Sequence, residues 1–156
     1  MLTYKAASPE QHEEFLQLMR VDAADYLDYS LKLMRLTWQE FAELTRTVGQ
    51  VYAIYQDERL VGFYWIEERG RILHLHGLFV KHPFQGKGIG TQVLNMLADK
   101  YASSMETIEL GVHDSNPGAR SLYEKLEFKT VKRLAEVGFS VMQKPLSEKG
   151  RERESA

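Results

Sequence analysis

The stretch that decides the fold is LFVKHPFQGKGIGT, residues 78–91. An apolar β-type segment ends at Pro83, glycines follow at alternate positions 86, 88 and 90, and an amphipathic run continues to Tyr101. Glycine permits backbone conformations with φ > 0 and leaves no side chain between the backbone and a ligand. A glycine loop that enters a helix presents N–H groups at the positive end of the helix dipole, an arrangement that suits phosphate or pyrophosphate. An ordinary strand-to-helix turn has the same pattern, so the glycines alone leave both interpretations open.

The spacing of the glycines excludes two common nucleotide-binding motifs. A P-loop needs a glycine, four residues and then Gly-Lys-Ser/Thr, but here another glycine follows Gly86-Lys87. The dinucleotide fingerprint G-x-G-x-x-G is one residue longer than the pattern found. The pattern Gln-x-x-Gly-x-Gly, formed by Gln85, Gly88 and Gly90, instead resembles the acyl-CoA pyrophosphate loop of the GNAT superfamily of N-acetyltransferases.

Length and composition predict one globular domain. The chain has 156 residues, of which 44% are apolar and 27% charged, and its net charge of −2 indicates no basic field for nucleic acid or membrane. It has no cysteine, which excludes a disulfide framework, a thiolate nucleophile and a cysteine-based zinc site. We find neither the apolar core of a signal peptide nor an apolar run of about 20 residues, so a cytoplasmic protein is the default expectation. We predict a single domain over residues 1–146 and a charged, disordered tail over 147–156.

Hydrophobic periodicity and capping residues predict alternating strands and helices. A helix is expected to start at Ser8-Pro9, and residues 22–47 are expected to form one helix plus a second that begins near Thr37. Another helix should follow the glycine loop, and a short one should lie at 116–126. Thr37 and Glu40 form a capping-box pattern. The strands are predicted at 2–6, 51–55, 60–66, 72–80, 108–113, 128–134 and 137–142.

A second constellation follows the strand at 108–113. Asn116 and Pro117 start a helix well, and the run Asn-x-x-Ala-x-x-x-Tyr-Glu-Lys-x-x-Phe resembles the second GNAT signature at the spacing that this family shows. Taken alone, Tyr123 fits a half-buried core aromatic; together with the glycine loop it fits a site residue. The family usually has glycine where this chain has Glu127, and its absence predicts a different helix ending.

His74-Leu75-His76 lies on the strand that leads into the glycine loop. Residues i and i+2 of a strand share a face, so the two imidazoles should stand side by side. Three interpretations are open: satisfied strand histidines, a metal site that would need further ligands such as His113, and a proton relay. The run His-Leu-His-x-Leu-x-Val resembles the arylalkylamine N-acetyltransferase branch, to which serotonin N-acetyltransferase belongs. That resemblance implies that the histidines line an amine pocket and help to deprotonate the amine.

The GNAT resemblance spans roughly residues 60–145 and implies an α/β (α+β) fold. This fold is a mixed, mostly antiparallel central sheet, flanked by helices and splayed at the cofactor site between strands 72–80 and 108–113. The resemblance implies acetyl-CoA as cosubstrate and no metal. It also implies a set of cofactor-binding residues, in which Lys87 is either a phosphate contact or a solvated loop residue: Leu78, Phe79, Val80, Gln85, Gly86, Lys87, Gly88, Ile89, Gly90, Thr91, Asn116 and Tyr123.

The expected reaction is direct acetyl transfer in a ternary complex. Tyr123 is the expected proton donor to the departing thiolate, His76 the first choice for the base with His74 as relay, and Glu109 the reserve base. We expect a small-molecule primary amine as acceptor, with arylalkylamines or polyamines favoured; a peptide or protein amine and a non-catalytic acyl-CoA-binding module are the alternatives. Neither nucleic acid nor membrane is an expected partner, and a homodimer is possible.

Overall fold

The computed structural model describes residues 1–147, so positions 148–156 of the predicted tail lie outside the described residues. The chain divides into two compact units. The first contains Met1–Ile66 and Gly77–Lys87, and the second contains Glu67–His76 and the described residues from Gly88 to 147. The assignment of residues 1–146 to one domain stays a prediction. None of the helices in the described part of the chain is long and apolar enough to cross a membrane.

The first unit combines three helices with strands joined in the order β1-β2-β3-β4. Its elements are β1 (Leu2–Ala6), α1 (Pro9–Asp22), α2 (Leu27–Met34), α3 (Trp38–Thr47), β2 (Gln50–Gln56), the part of β3 (Arg59–Arg69) up to residue 66, and the part of β4 (Ile72–Val80) from residue 77. β2 pairs antiparallel with both β1 and β3. Asp57 and Glu58 connect β2 to β3 with φ values of 50° and 72°, as a tight hairpin turn requires.

Side-chain caps explain where the helices of this unit begin. The Ser8 hydroxyl accepts from the backbone N–H of Gln11 at 3.2 Å, and the Gln11 side chain accepts from the Ser8 N–H at 2.9 Å. Thr37 and Glu40 form the equivalent capping box at the start of α3. These reciprocal bonds satisfy N–H groups that a helix leaves unpaired. Both predicted helix starts are therefore confirmed.

Up to residue 147, the second unit contains the ends of β3 and β4 nearest their connecting turn, together with three further strands and two helices. These are α4 (Ile89–Tyr101), β5 (Thr107–His113), α5 (Pro117–Lys125), β6 (Lys129–Leu134) and β7 (Phe139–Pro145). β4 pairs parallel with β5 over four residue pairs, from Ile72 with Thr107 to Leu75 with Leu110. β7 then pairs antiparallel with both β5 and β6. The predicted mixed, mostly antiparallel fold is confirmed.

The end of α5 contradicts the prediction made from Glu127. The absence of glycine predicted a different helix ending, yet Glu127 has φ = 72°, the left-handed conformation that glycine usually provides. The backbone N–H of Phe128 donates to the Tyr123 carbonyl at 2.9 Å, and that of Glu127 to the Glu124 carbonyl at 3.0 Å. Because these bonds close the helix, the chain tolerates a left-handed glutamate at a cost of about 1–2 kcal/mol.

Candidate active site

The two histidines of β4 stand side by side, as predicted. Their ring centroids are 4.5 Å apart with an interplanar angle of 69°, and only 18% and 16% of the His74 and His76 side chains is exposed. The intervening Leu75 and the preceding Leu73 are buried. Because successive strand side chains point to opposite faces, these leucines anchor one face of β4 and leave the imidazoles together on the other.

Glu109 on β5 holds the first of these histidines. The parallel register pairs His74 with Glu109, and His74 Nδ1 donates to Glu109 Oε1 at 2.8 Å. Gln143 pairs with Glu109 in the β5–β7 ladder, and its side-chain amide donates to Glu109 Oε2 at 2.7 Å. Three neighbouring strands therefore contribute one polar side chain each to a continuous hydrogen-bonded row. The sequence predicted Glu109 as a site residue but missed Gln143.

Glu67 on β3 holds the second histidine and was also missed by the sequence analysis. His76 Nε2 donates to Glu67 Oε1 at 2.9 Å, and the same oxygen accepts from Arg69 Nε at 2.7 Å. The signal that could have found Glu67 is the turn at Gly70. Counting back from a tight turn places position 67 on the same face of a hairpin as His74 and His76.

Burial keeps both imidazoles neutral at physiological pH. Burial lowers the pKa of His76 from 6.5 to about 4, against the opposing effect of the Glu67 carboxylate. Burial also lowers the pKa of His74, although its bond to Glu109 acts in the opposite direction. The bond from His76 lowers the pKa of the Glu67 carboxyl, which is therefore ionised. Since a carboxylate only accepts hydrogen bonds, these bonds assign the proton to Nε2 of His76 and to Nδ1 of His74.

The glycine loop has the backbone conformation that its glycines permit. Gly86 and Gly88 have φ values of 74° and 81°, and a Cβ added at either position would meet no atom within 4 Å. Gly88 is the N-cap of α4, and no side chain caps that helix start. The first amides of α4 are thus without the side-chain acceptors found at α1 and α3. Gln85 has a different contact, since its amide donates to the Val80 carbonyl at 3.0 Å.

Two residues of the second signature have local roles in the described chain. Asn116 Oδ1 accepts from the Ala119 N–H at 3.0 Å and caps α5. Tyr123 is half-buried, and its ring centroid is 5.9 Å from that of Phe128. Their proposed contacts to a cofactor stay predictions.

The described residues contain no set of side chains that could complete a metal site with His74 and His76. His113 Nδ1 lies 2.8 Å from the hydroxyl of Ser115, and its ring contacts Phe139 at a centroid distance of 5.0 Å. Within residues 1–147, no group of three His, Asp or Glu side chains is arranged to hold a metal ion.

The predicted site residues are distributed over both units. His74, His76 and Glu109 come together in the second unit, which also contains Gly88, Ile89, Gly90, Thr91, Asn116 and Tyr123, while Leu78, Phe79, Val80, Gln85, Gly86 and Lys87 belong to the first. The Phe79 ring packs into the core of the first unit, 5.9 Å from Phe15. Only the backbone of Phe79 is therefore available for the role that the sequence predicts.

The described site thus combines two neutral imidazoles, each bonded to a carboxylate. The chain belongs to the acetyltransferase (GNAT) family, whose family model matches residues 12–128. Membership makes the protein a transferase of acetyl groups, of the EC 2.3.1 class. No curated protein sequence matches the chain.

Solved structures share its fold at low sequence identity. PH1933 from Pyrococcus horikoshii OT3 superposes with a TM-score of 0.71 at 22% identity, over 93% of this chain and 98% of that one. Spermidine N-acetyltransferase from Vibrio cholerae, solved with CoA and spermine, gives 0.71 at 18%, over 93% and 95%. The ribosomal-protein-S18-alanine N-acetyltransferase from Escherichia coli gives 0.69 at 18%, over 94% and 95%.

Proposed function

We propose that this acetyltransferase moves the acetyl group of acetyl-CoA directly to the primary amine of a small molecule, with arylalkylamines and polyamines as favoured acceptors. The observation that carries the proposal is the pair of neutral imidazoles, His74 and His76, 4.5 Å apart and each bonded to a carboxylate. The His-Leu-His run also supports the finer resemblance to the arylalkylamine branch.

The first chemical step removes a proton from the acceptor. A primary amine is an ammonium ion at neutral pH and has no lone pair with which to attack a thioester. His76, whose pKa of about 4 keeps its ring neutral at that pH, accepts the proton at Nδ1, directly or through water. Because its imidazolium is a strong acid, His76 does not hold this proton but passes it on as the amine attacks. His74 and Glu109 relay it to solvent. General-base assistance of this kind contributes roughly 10²–10⁴-fold.

The second step forms the amide and releases the thiol. The amine nitrogen bonds to the thioester carbon, the carbonyl oxygen becomes an oxyanion, and the C–S bond then breaks. A backbone N–H near Leu78 stabilises the oxyanion, a contribution of about 3 kcal/mol. Tyr123 gives its phenolic proton to the departing thiolate and regains a proton from solvent. Since the chain has no cysteine, no acyl-cysteine intermediate is involved.

The cofactor assignment belongs to the same proposal. The amides from Gln85 to Thr91 bind the pyrophosphate, and the β4 backbone from Leu78 to Val80 pairs with the pantetheine arm as an added strand would. The left-handed Gly86 and Gly88 and the absence of a side-chain cap at α4 support it. Acetyl-CoA is the cosubstrate, and the cytoplasmic location and the homodimer stay predictions.

Charge in the described site favours a cationic acceptor. The carboxylates of Glu67 and Glu109 flank two neutral rings, and Arg69 is the cation bonded to this group. The structural neighbour named for spermidine supports a small polyamine. The neighbour named for the alanine of a ribosomal protein supports a second candidate, the N-terminal amine of a protein.

Thiol release with a panel of amines tests the proposal. Acetyl-CoA is incubated with arylalkylamines, polyamines, amino acids and short peptides, and mass spectrometry confirms each acetylated product. We expect acetylation of at least one small primary amine, with the reaction without amine as the control. Acetylation of peptide N-termini alone would favour the second candidate, and no acetylated product from any acceptor would refute both.

A further inference from the structure

We propose that Glu67 is a positioning residue for the base, holding His76 in the tautomer that carries its lone pair on Nδ1. This inference rests on the proposed function of His76. It adds a residue that the glycine-loop and tyrosine signatures do not contain, and it assigns opposite tautomers to the two neighbouring histidines.

The geometry of Glu67 is that of a fixed acceptor. One carboxylate oxygen accepts from His76 Nε2 at 2.9 Å and from Arg69 Nε at 2.7 Å. Only 26% of the Glu67 side chain is exposed, so water competes weakly for this oxygen. A carboxylate that is itself held by a guanidinium restricts the orientation of the imidazole as well as its tautomer, as carboxylates do for histidines at other sites.

The companion pair produces the opposite tautomer. Glu109 accepts from Nδ1 of His74 and is itself held by the amide of Gln143. His76 thus carries its lone pair on Nδ1, and His74 carries its lone pair on Nε2. A free neutral imidazole exchanges its proton between both nitrogens, so without the two carboxylates each ring would present the basic atom only part of the time.

Glu67 also opposes the charge that His76 acquires. Among the charged and titratable groups around His76 are Glu67 and Arg69 from β3 and His74 on β4, with Glu109 from β5 bonded to His74. When His76 accepts a proton, the Glu67 carboxylate stabilises the imidazolium, whereas Arg69 and His74 oppose it. Removing the carboxylate charge therefore makes His76 a weaker base even where the tautomer is kept.

Two substitutions separate the orienting effect from the charge. Glu67→Gln keeps an oxygen that can accept from Nε2 but removes the charge, and Glu67→Ala removes both. Glu68→Gln is the matched control, because it removes the same charge from the next residue of β3, whose side chain is exposed. Correlation of ring protons with ring nitrogens by NMR identifies the protonated nitrogen of His76, with His76→Gln used for assignment.

We expect Nε2–H in the wild type and in Glu67→Gln, and a mixture of tautomers in Glu67→Ala. We also expect kcat to fall about 10- to 100-fold in both variants, as part of the base contribution, with the KM for acetyl-CoA within about twofold and Glu68→Gln unchanged. If Glu67→Ala does not fold, the tautomer measured in the wild type decides the orienting role, and the kcat of Glu67→Gln decides the effect of the charge.

Wild-type protein with the proton on Nδ1, or folded Glu67 variants with unchanged kcat, would overturn the inference. Failure of the proposed function would give a different set of results. In that case the wild type acetylates no amine, or His76→Gln retains full turnover, while the NMR measurement still reports whether Glu67 sets the tautomer.

Discussion

Replacing His76 with glutamine should change how stability depends on pH. The folded-state pKa of His76 is about 4, against an ordinary value of 6.5. Between these two values the unfolded chain binds more protons than the folded chain. The stability associated with neutral His76 is therefore present above about pH 6.5 and is lost as the pH falls towards 4.

The magnitude follows from the size of this shift. At about 1.36 kcal/mol per unit, the full effect is about 3 kcal/mol. Solvent reaches part of the site, and screening reduces the effect to about half of that value. Between pH 7.5 and pH 5.0, the stability of the wild type relative to His76→Gln should fall by about 1 kcal/mol. Burial also lowers the pKa of His12, which is far along the chain and present in both proteins, so its effect cancels. His74 contacts the replaced ring, so its titration is followed by NMR in both proteins and subtracted.

Urea unfolding followed by circular dichroism measures this difference. Each protein is unfolded at pH 7.5 and at pH 5.0, and the change in free energy of unfolding is compared between them. NMR titration of the His76 ring provides the independent pKa. The quantity compared is the free energy of unfolding of the wild type minus that of His76→Gln. If this value were the same at pH 5.0 as at pH 7.5, or larger, His76 would not be a buried, neutral imidazole.

Three further substitutions test other parts of the structure. Tyr123→Phe should lower kcat at least tenfold with little change in the KM for acetyl-CoA; steady-state kinetics with unchanged kcat would remove this residue from the mechanism. Gly62→Ala should destabilise the fold by about 1–3 kcal/mol, because the added Cβ would lie 2.4 Å from the Phe79 carbonyl oxygen. Thermal unfolding measures this, and the control Gly118→Ala, whose nearest atom is 3.9 Å away, should be neutral or slightly stabilising. Glu127→Gly should stabilise by about 0.5–1 kcal/mol by relieving the left-handed glutamate; equal or lower stability in urea would contradict that account.

Local signals explain why most of the fold was predictable. Ser8 and Thr37 indicate helix starts because each side chain accepts a hydrogen bond from the backbone N–H three residues later. Asn116 caps α5 in the same way. The alternation of leucine and histidine between 72 and 80 identifies β4 and the shared face of its imidazoles. Each of these features depends on residues close together in the chain, where pattern and structure are linked directly.

The rest of the site depends on pairing between distant segments. Glu109 faces His74 because β4 and β5 pair in a parallel register across 35 positions, and Gln143 reaches Glu109 across 34. No local pattern encodes such a register, so the sequence offered Glu109 only as a reserve base. The prediction for the end of α5 was wrong for another reason. Hydrogen bonding at Phe128 outweighs the preference of the left-handed position for glycine.

Comparing two acceptor amines tests the role of His76 as base most directly. Wild type and His76→Gln are assayed at pH 7 with an amine that the enzyme accepts and with its fluorinated analogue, whose ammonium pKa lies below the assay pH. A base that removes the ammonium proton is needed only for the first amine. We predict that His76→Gln lowers kcat/KM about 100-fold for the first amine and only a few-fold for the analogue. Equal losses for both amines, or no loss for either, would contradict the account.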